Sequence, residues 1–116
     1  MAEQPSTLVV TELGSARIAA IDGDIDMATA DHFERALSKA LGTADVIVDL
    51  SRCVFLDSAG LRALVSASRE AQRHGRRLVL ARPSPGVAKL LRLTAIDAAI
   101  PTFDALEGAE RELSRA

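Results

Sequence analysis

Residues 45–61, DVIVDLSRCVFLDSAGL, decide the fold. The run at 45–50 is a short apolar stretch of the kind that forms a strand buried on both faces. Residues 51–57 interrupt it. At Ser58 a helical period begins in which Leu61, Leu64, Val65 and Ala71 share one face, while Arg62, Arg69 and Arg73 lie on the other. Gly75 stops that helix, and a second strand-like run follows at 77–81, RLVLA. Strand, loop, helix and strand make a βαβ unit, which requires parallel strands and a right-handed crossover.

Working outward, residues 8–13 and 17–21 are β-rich runs joined by Gly14 and Ser15, so an antiparallel hairpin is expected ahead of the unit. Between hairpin and unit, residues 28–41 put Phe33, Ala36, Leu37, Ala40 and Leu41 on one helical face and Asp31, Glu34, Arg35 and Lys39 off it, with Gly42 past the end. Downstream, Ser84 followed by Pro85 reads as a cap and a first helical residue, with Val87, Leu90 and Leu91 facing inward. Residues 99–103 read as a short strand confined to an edge by Pro101. Asp104 with Glu107 resembles a capping box for a last helix burying Leu106, Ala109 and Leu113. The expected order is β-β-α-β-α-β-α-β-α. This is an α/β fold in which helices pack on a mixed sheet of four or five strands, with an ordered core over about residues 7–114 of one domain.

Composition narrows the function. The 116 residues carry 14 Lys and Arg against 16 Asp and Glu, a net charge of −2 from interspersed signs, so no basic surface for nucleic acid or an anionic membrane is expected. The single cysteine, Cys53, cannot form an internal disulfide, and no Cys/His cluster has metal-ligand spacing. The first residues lack the basic start and apolar stretch of a signal peptide, so a cytoplasmic location is expected.

Catalytic equipment is sparse. His32 and His74 read as solvated or helix-end histidines, with no nucleophile or orienting carboxylate spaced for a triad. Residues 56–60, LDSAG, place a serine at a strand-to-helix turn, but Leu56 stands where a nucleophile elbow needs glycine. Glycine-rich phosphate loops are absent. Cys53 reads as a lightly buried, unreactive thiol.

Two readings of the turn at Ser58 stay open. In one, Asp57 caps the helix, Ser58 is an ordinary first-turn residue, and Gly60 permits close packing of helix on sheet. In the other, Ser58 is modified: a phosphate there sits at the helix end that best tolerates an anion, so its effect falls on a partner.

The segment from Asp49-Leu50-Ser51 through Phe55-Leu56-Asp57-Ser58-Ala59-Gly60-Leu61 follows Gly23-Asp24-Ile25-Asp26 and precedes Ser84-Pro85-Gly86-Val87-Ala88-Lys89-Leu90-Leu91. In that order and spacing it resembles the bacterial anti-sigma factor antagonists, the small STAS-domain proteins, over almost the whole chain. The resemblance implies that Ser58 is phosphorylated by a partner kinase, with Asp57 as its acidic neighbour. It places Asp26 beside Ser58, makes Asp24 a further candidate, and draws the partner-binding surface through Asp24, Asp26, Asp57, Ser58, Ala59, Gly60, Leu61 and Arg62. Ala59 and Arg62 depart from the Ser or Thr and the Gly that many relatives carry, leaving Ser58 the only hydroxyl in the motif.

The implied function is regulatory rather than enzymatic. Unphosphorylated, the protein would bind an anti-sigma factor serine kinase and release the sigma factor; phosphorylation of Ser58 would abolish binding, and a serine phosphatase would restore it. ATP and Mg²⁺ would belong to the kinase, with no cofactor or metal on this chain. The alternative is a non-switching STAS scaffold subunit of a transporter or signalling assembly.

Overall fold

The computed structural model describes residues 7–115, so the reading of the N-terminal residues before Thr7 lies outside the described residues. Strands β1 (Thr7–Leu13) and β2 (Ala16–Asp22) form the expected hairpin. β3 (Val46–Arg52), β4 (Leu78–Ala81) and β5 (Thr102–Phe103) then add in parallel, so the sheet order is β1-β2-β3-β4-β5. Because the parallel strands follow one another in chain order, right-handed crossovers put their helices on one face. These are α1 (Ala30–Leu41), α2 (Ser58–Arg73), α3 (Pro85–Leu93) and a single turn, α4 (Ile96–Ala99). Helix α5 (Leu106–Ser114) covers the other face, setting Ala109 against Ile47, Val79 and Ala81.

Most apolar burial lies under α1 to α3, where Ala19, Ile21, Phe33, Leu37, Val46, Val48, Leu50, Leu64, Leu80, Val87 and Leu91 meet. β3 is buried on both faces along residues 46–50, as its apolar run, broken only by Asp49, requires. Helices α1 and α2 run parallel and are laced by two hydrogen bonds of opposite sense. The Ser66 hydroxyl donates to Glu34 at 2.8 Å, and one turn along both helices the Ser38 hydroxyl donates to Glu70 at 3.0 Å.

Several local expectations are corrected. Helix α1 starts at Ala30 rather than residue 28, because the Asp26 carboxylate takes the N–H groups of Ala28 and Thr29 and holds them in a turn. The stretch expected as strand 99–103 shrinks to Thr102–Phe103 behind α4. Ile96 and Ile100 are both buried at helical spacing, and the Ile100 N–H donates to the Ile96 carbonyl at 2.8 Å. No capping box opens α5: Ala105 holds the cap position, without a side-chain bond. Ser84 holds the cap position of α3 with Pro85 opening the helix, as expected, but its side chain makes no capping bond. Leu61, Val65 and Leu90 are half-buried at the rim of the core, and Leu106 and Leu113 are half-buried under α5.

One buried carboxylate interrupts the apolar sheet. Asp49, 6% exposed, accepts from Arg82 Nε at 3.2 Å, Arg82 Nη2 at 2.5 Å and the Ser51 N–H at 3.1 Å. Burial pushes its pKa up, but the Arg82 and Ser51 hydrogen bonds and the guanidinium charge outweigh that, so the carboxyl titrates below its ordinary value. Arg82→Ala strands this carboxylate and is expected to cost about 2 kcal/mol in urea unfolding at pH 7, less than for a fully enclosed pair because the Arg82 side chain is 43% exposed. With the folded pKa depressed, the pair's contribution is fully present above the ordinary aspartate pKa and is lost as pH falls through the folded value. The gap between wild type and Arg82→Ala should therefore be constant near neutrality and close in acid; a gap that widens in acid contradicts this.

Candidate functional site

Two loops at the C-terminal edge of the parallel strands meet at Ser58. One follows β2 (residues 23–29) and the other follows β3 (residues 53–57). The first buries Ile25, at 1% exposure, and the second Leu56, at 3%, as well as Cys53, and burying Ile25 and Leu56 drives the loops together. They pair as an isolated parallel bridge. The Ile25 N–H donates to the Phe55 carbonyl at 3.1 Å, the Asp57 N–H to the Ile25 carbonyl at 3.2 Å, and the Gly23 N–H to the Arg52 carbonyl at 3.1 Å.

The Asp57 carboxylate completes the joint. Oδ1 accepts from the Gly60 N–H at 2.9 Å, capping α2, and Oδ2 accepts from the Met27 N–H at 3.1 Å across the loops. Ser58 is therefore the first residue of a capped helix, and the helix dipole is positive there. Its side chain is exposed, and its hydroxyl enters no hydrogen bond among the described residues.

The other expected surface residues divide by burial. Arg62 is exposed one helical turn beyond Ser58, and Ala59 and Leu61 are half-buried against the core. Gly60 is buried rather than presented: a Cβ there would lie 2.6 Å from the Ile25 carbonyl oxygen, so it is the contact point of helix and loop. Asp26 is half-buried and spends Oδ1 on the N–H groups of Ala28 and Thr29, at 3.0 and 3.2 Å, while the Thr29 hydroxyl accepts from the Asp26 N–H at 3.0 Å. It shapes the loop whose next residue, Met27, is tied to Asp57. Asp24 is half-buried one residue before Ile25.

Three residues absent from the sequence expectation stand out on these loops. Met27 is 82% exposed, Val54 70% and Phe55 50%, apolar side chains on the two hydrogen-bonded loops that meet at Ser58. Exposed apolar side chains held on such loops are candidates for contact with another molecule. Two consecutive apolar residues inside a loop, Val54 and Phe55, were the available signal.

Elsewhere, His32 is exposed, and His74 Nε2 lies 3.4 Å from Glu70, which also pairs with Arg73. The Arg73 hydrogen bond foremost, then those from Ser38 and His74, hold the Glu70 carboxyl below its ordinary range. Cys53 is fully buried rather than lightly so, and burial pushes its thiol above the ordinary value, away from the reactive thiolate. Among the described residues no group of three or more His, Cys, Asp or Glu could hold a metal ion. None of their helices is long and apolar enough to cross a membrane.

Comparison with known proteins places this geometry. The family model of the STAS domain matches residues 7–109. BtrV of Bordetella bronchiseptica, provisionally named an anti-sigma factor antagonist, is 25% identical over 104 residues, spanning 88% of this chain and 90% of BtrV. The crystal structure of an anti-sigma factor antagonist from Mycobacterium paratuberculosis is similar with a TM-score of 0.86 at 23% identity, over 96% of each chain. The Bacillus protein SpoIIAA is similar in its unphosphorylated form (TM-score 0.70, 20% identity, 91% of this chain and 96% of that one). Its phosphorylated form matches with a TM-score of 0.69 at 19% identity, over 90% of this chain and 98% of that one.

Proposed function

The chain belongs to the STAS domain family, and from that premise we propose that it is an anti-sigma factor antagonist whose partner is an anti-sigma factor with serine-kinase activity. The unphosphorylated protein binds the kinase through the face around Ser58 and so releases a sigma factor. The kinase, carrying ATP and Mg²⁺, phosphorylates Ser58 and the complex dissociates; a serine phosphatase resets the protein.

One observation carries this reading. Ser58 offers an exposed hydroxyl, with no hydrogen bond among the described residues, at a helix start whose cap is already filled by Asp57 and next to two loops that expose the apolar side chains of Met27, Val54 and Phe55. Because Asp57 does the capping, the helix makes no demand on the Ser58 hydroxyl, which stays available. The apolar neighbours provide contact area, and the hydroxyl provides a point at which charge can be added and removed. The chain acts as ligand and substrate, the regulatory binding role of its family.

Incubation of the intact protein with its cognate kinase and Mg-ATP is the test. Intact-mass spectrometry should show the gain of one phosphate, peptide mapping should put it on Ser58, and Ser58→Ala should gain none. Phosphate on another residue, or none on wild type beside a kinase that phosphorylates a control substrate, overturns the reading.

A further inference from the structure

Ser84 stands where a helix cap is expected, directly before Pro85 at the first turn of α3, yet it makes no side-chain bond to its own helix. Its hydroxyl instead donates to the Cys53 carbonyl at 2.8 Å, 31 residues away in sequence. That carbonyl opens the loop leading to Ser58. From there the frame runs on: the Cys53 thiol lies 3.5 Å from the Phe55 carbonyl, which receives the Ile25 N–H, and the Ile25 carbonyl receives the Asp57 N–H.

The donor's own position is set two residues earlier. Arg82 has a left-handed backbone, φ 54, which a side chain other than glycine adopts only when its surroundings impose it. They do so twice: the guanidinium holds Asp49 with two hydrogen bonds, and the Arg82 N–H donates to the Phe103 carbonyl at 2.8 Å. The connection 82–84 is thus tied to β3 at Asp49 and to the exit of β3 at Cys53.

We propose that this connection is a brace, and that Ser84 is a positioning residue which holds loop 53–57 in the shape that presents Ser58. Its relevance to partner recognition rests on the function proposed above, but the brace itself does not. The bond is to a main-chain carbonyl, so it needs a hydroxyl at residue 84 and nothing particular in the side chain of residue 53. Threonine can supply the same hydroxyl and alanine cannot.

Amide hydrogen exchange by NMR on the free full-length protein tests it without any partner. In Ser84→Ala the amides of Ile25 and Asp57 should exchange about tenfold faster, as expected when about 1.4 kcal/mol of local opening free energy is lost. Ser84→Thr should restore them, and the amides of the β1–β2 ladder should keep wild-type rates in both variants. Unchanged Ile25 and Asp57 rates in Ser84→Ala, or a Ser84→Thr variant as fast as Ser84→Ala, overturns the brace. So does uniform acceleration across the ladder, which would mark global destabilisation. In the kinase assay, Ser84→Ala should raise the KM for Ser58 phosphorylation several-fold with kcat unchanged. A wild type that takes no phosphate defeats the switch reading while the exchange rates still decide the brace.

Discussion

Phosphorylated on Ser58, the protein should bind its kinase about 10⁴-fold more weakly than unmodified protein, the roughly 5.5 kcal/mol that turns a 99:1 bound population into 1:99. The magnitude follows from the surroundings. A phosphate brings about two negative charges to the first residue of α2, where the Asp57 carboxylate already occupies the cap. That carboxylate cannot swing away, since its second oxygen is held by Met27 across the loops. Beside the apolar surface of Met27, Val54 and Phe55, docking would have to desolvate the phosphate next to a fixed like charge.

Calorimetric titration of the kinase should find Ser58→Ala within about threefold of wild type. Ser58→Asp, with one charge on a shorter arm, should be weakened by a factor on the order of 100, or about 2.7 kcal/mol. Equal binding by Ser58→Ala and Ser58→Asp, together with undiminished binding by the phosphoprotein, would remove the switch from the account.

Gly60→Ala should destabilise the fold by about 2 kcal/mol in urea unfolding, although alanine is the better helix former by about 1 kcal/mol. The new methyl would meet the Ile25 carbonyl oxygen at 2.6 Å and the Ile25 Cβ and Cγ2 at 3.2 Å. The nearest obstacle is backbone, and the same carbonyl receives the Asp57 N–H. Relief therefore requires the two loops to separate, and partner affinity should fall along with stability. Gly86→Ala is the matched control: it lies in the first turn of α3 with nothing within 4 Å of an added Cβ, and should be neutral or slightly stabilising. Equal stability of the two variants would show that Gly60 is not the contact point.

The parts legible in the sequence were those governed by local periodicity. β3 announced itself by a short apolar run broken only by Asp49, α2 by its apolar stripe and the adjacent Asp57, and both lie where the residue pattern placed them. Misreadings arose where a short-range signature competed with a distant partner. Ser84 has the surroundings of a helix cap, but the Cys53 carbonyl captures its hydroxyl. Asp26, named for the partner surface, has a local role as well that its place in the motif did not signal: its Oδ1 holds the turn into α1. Ile96 and Ile100 mark a single helical turn too short to stand out against flanking alanines. Glu34 was placed off the apolar face of α1, and only the packing of α2 supplies Ser66 as its donor. The exposure of Met27, Val54 and Phe55 depends on what the remainder of the chain leaves uncovered, which no local pattern states.

The opposed hydrogen bonds between α1 and α2 act as an error check on alignment. Each helix presents one serine and one glutamate a turn apart, in reversed order, so the native alignment matches hydroxyl to carboxylate twice. Sliding α2 by one turn in either direction breaks both matches, and one of the two slides lays Glu70 against Glu34. Alternating donor and acceptor thus encodes a position along the axis that a smooth stripe of small apolar residues would leave ambiguous. Since Ser58 begins α2, that code also fixes how far its hydroxyl projects beyond the neighbouring loop.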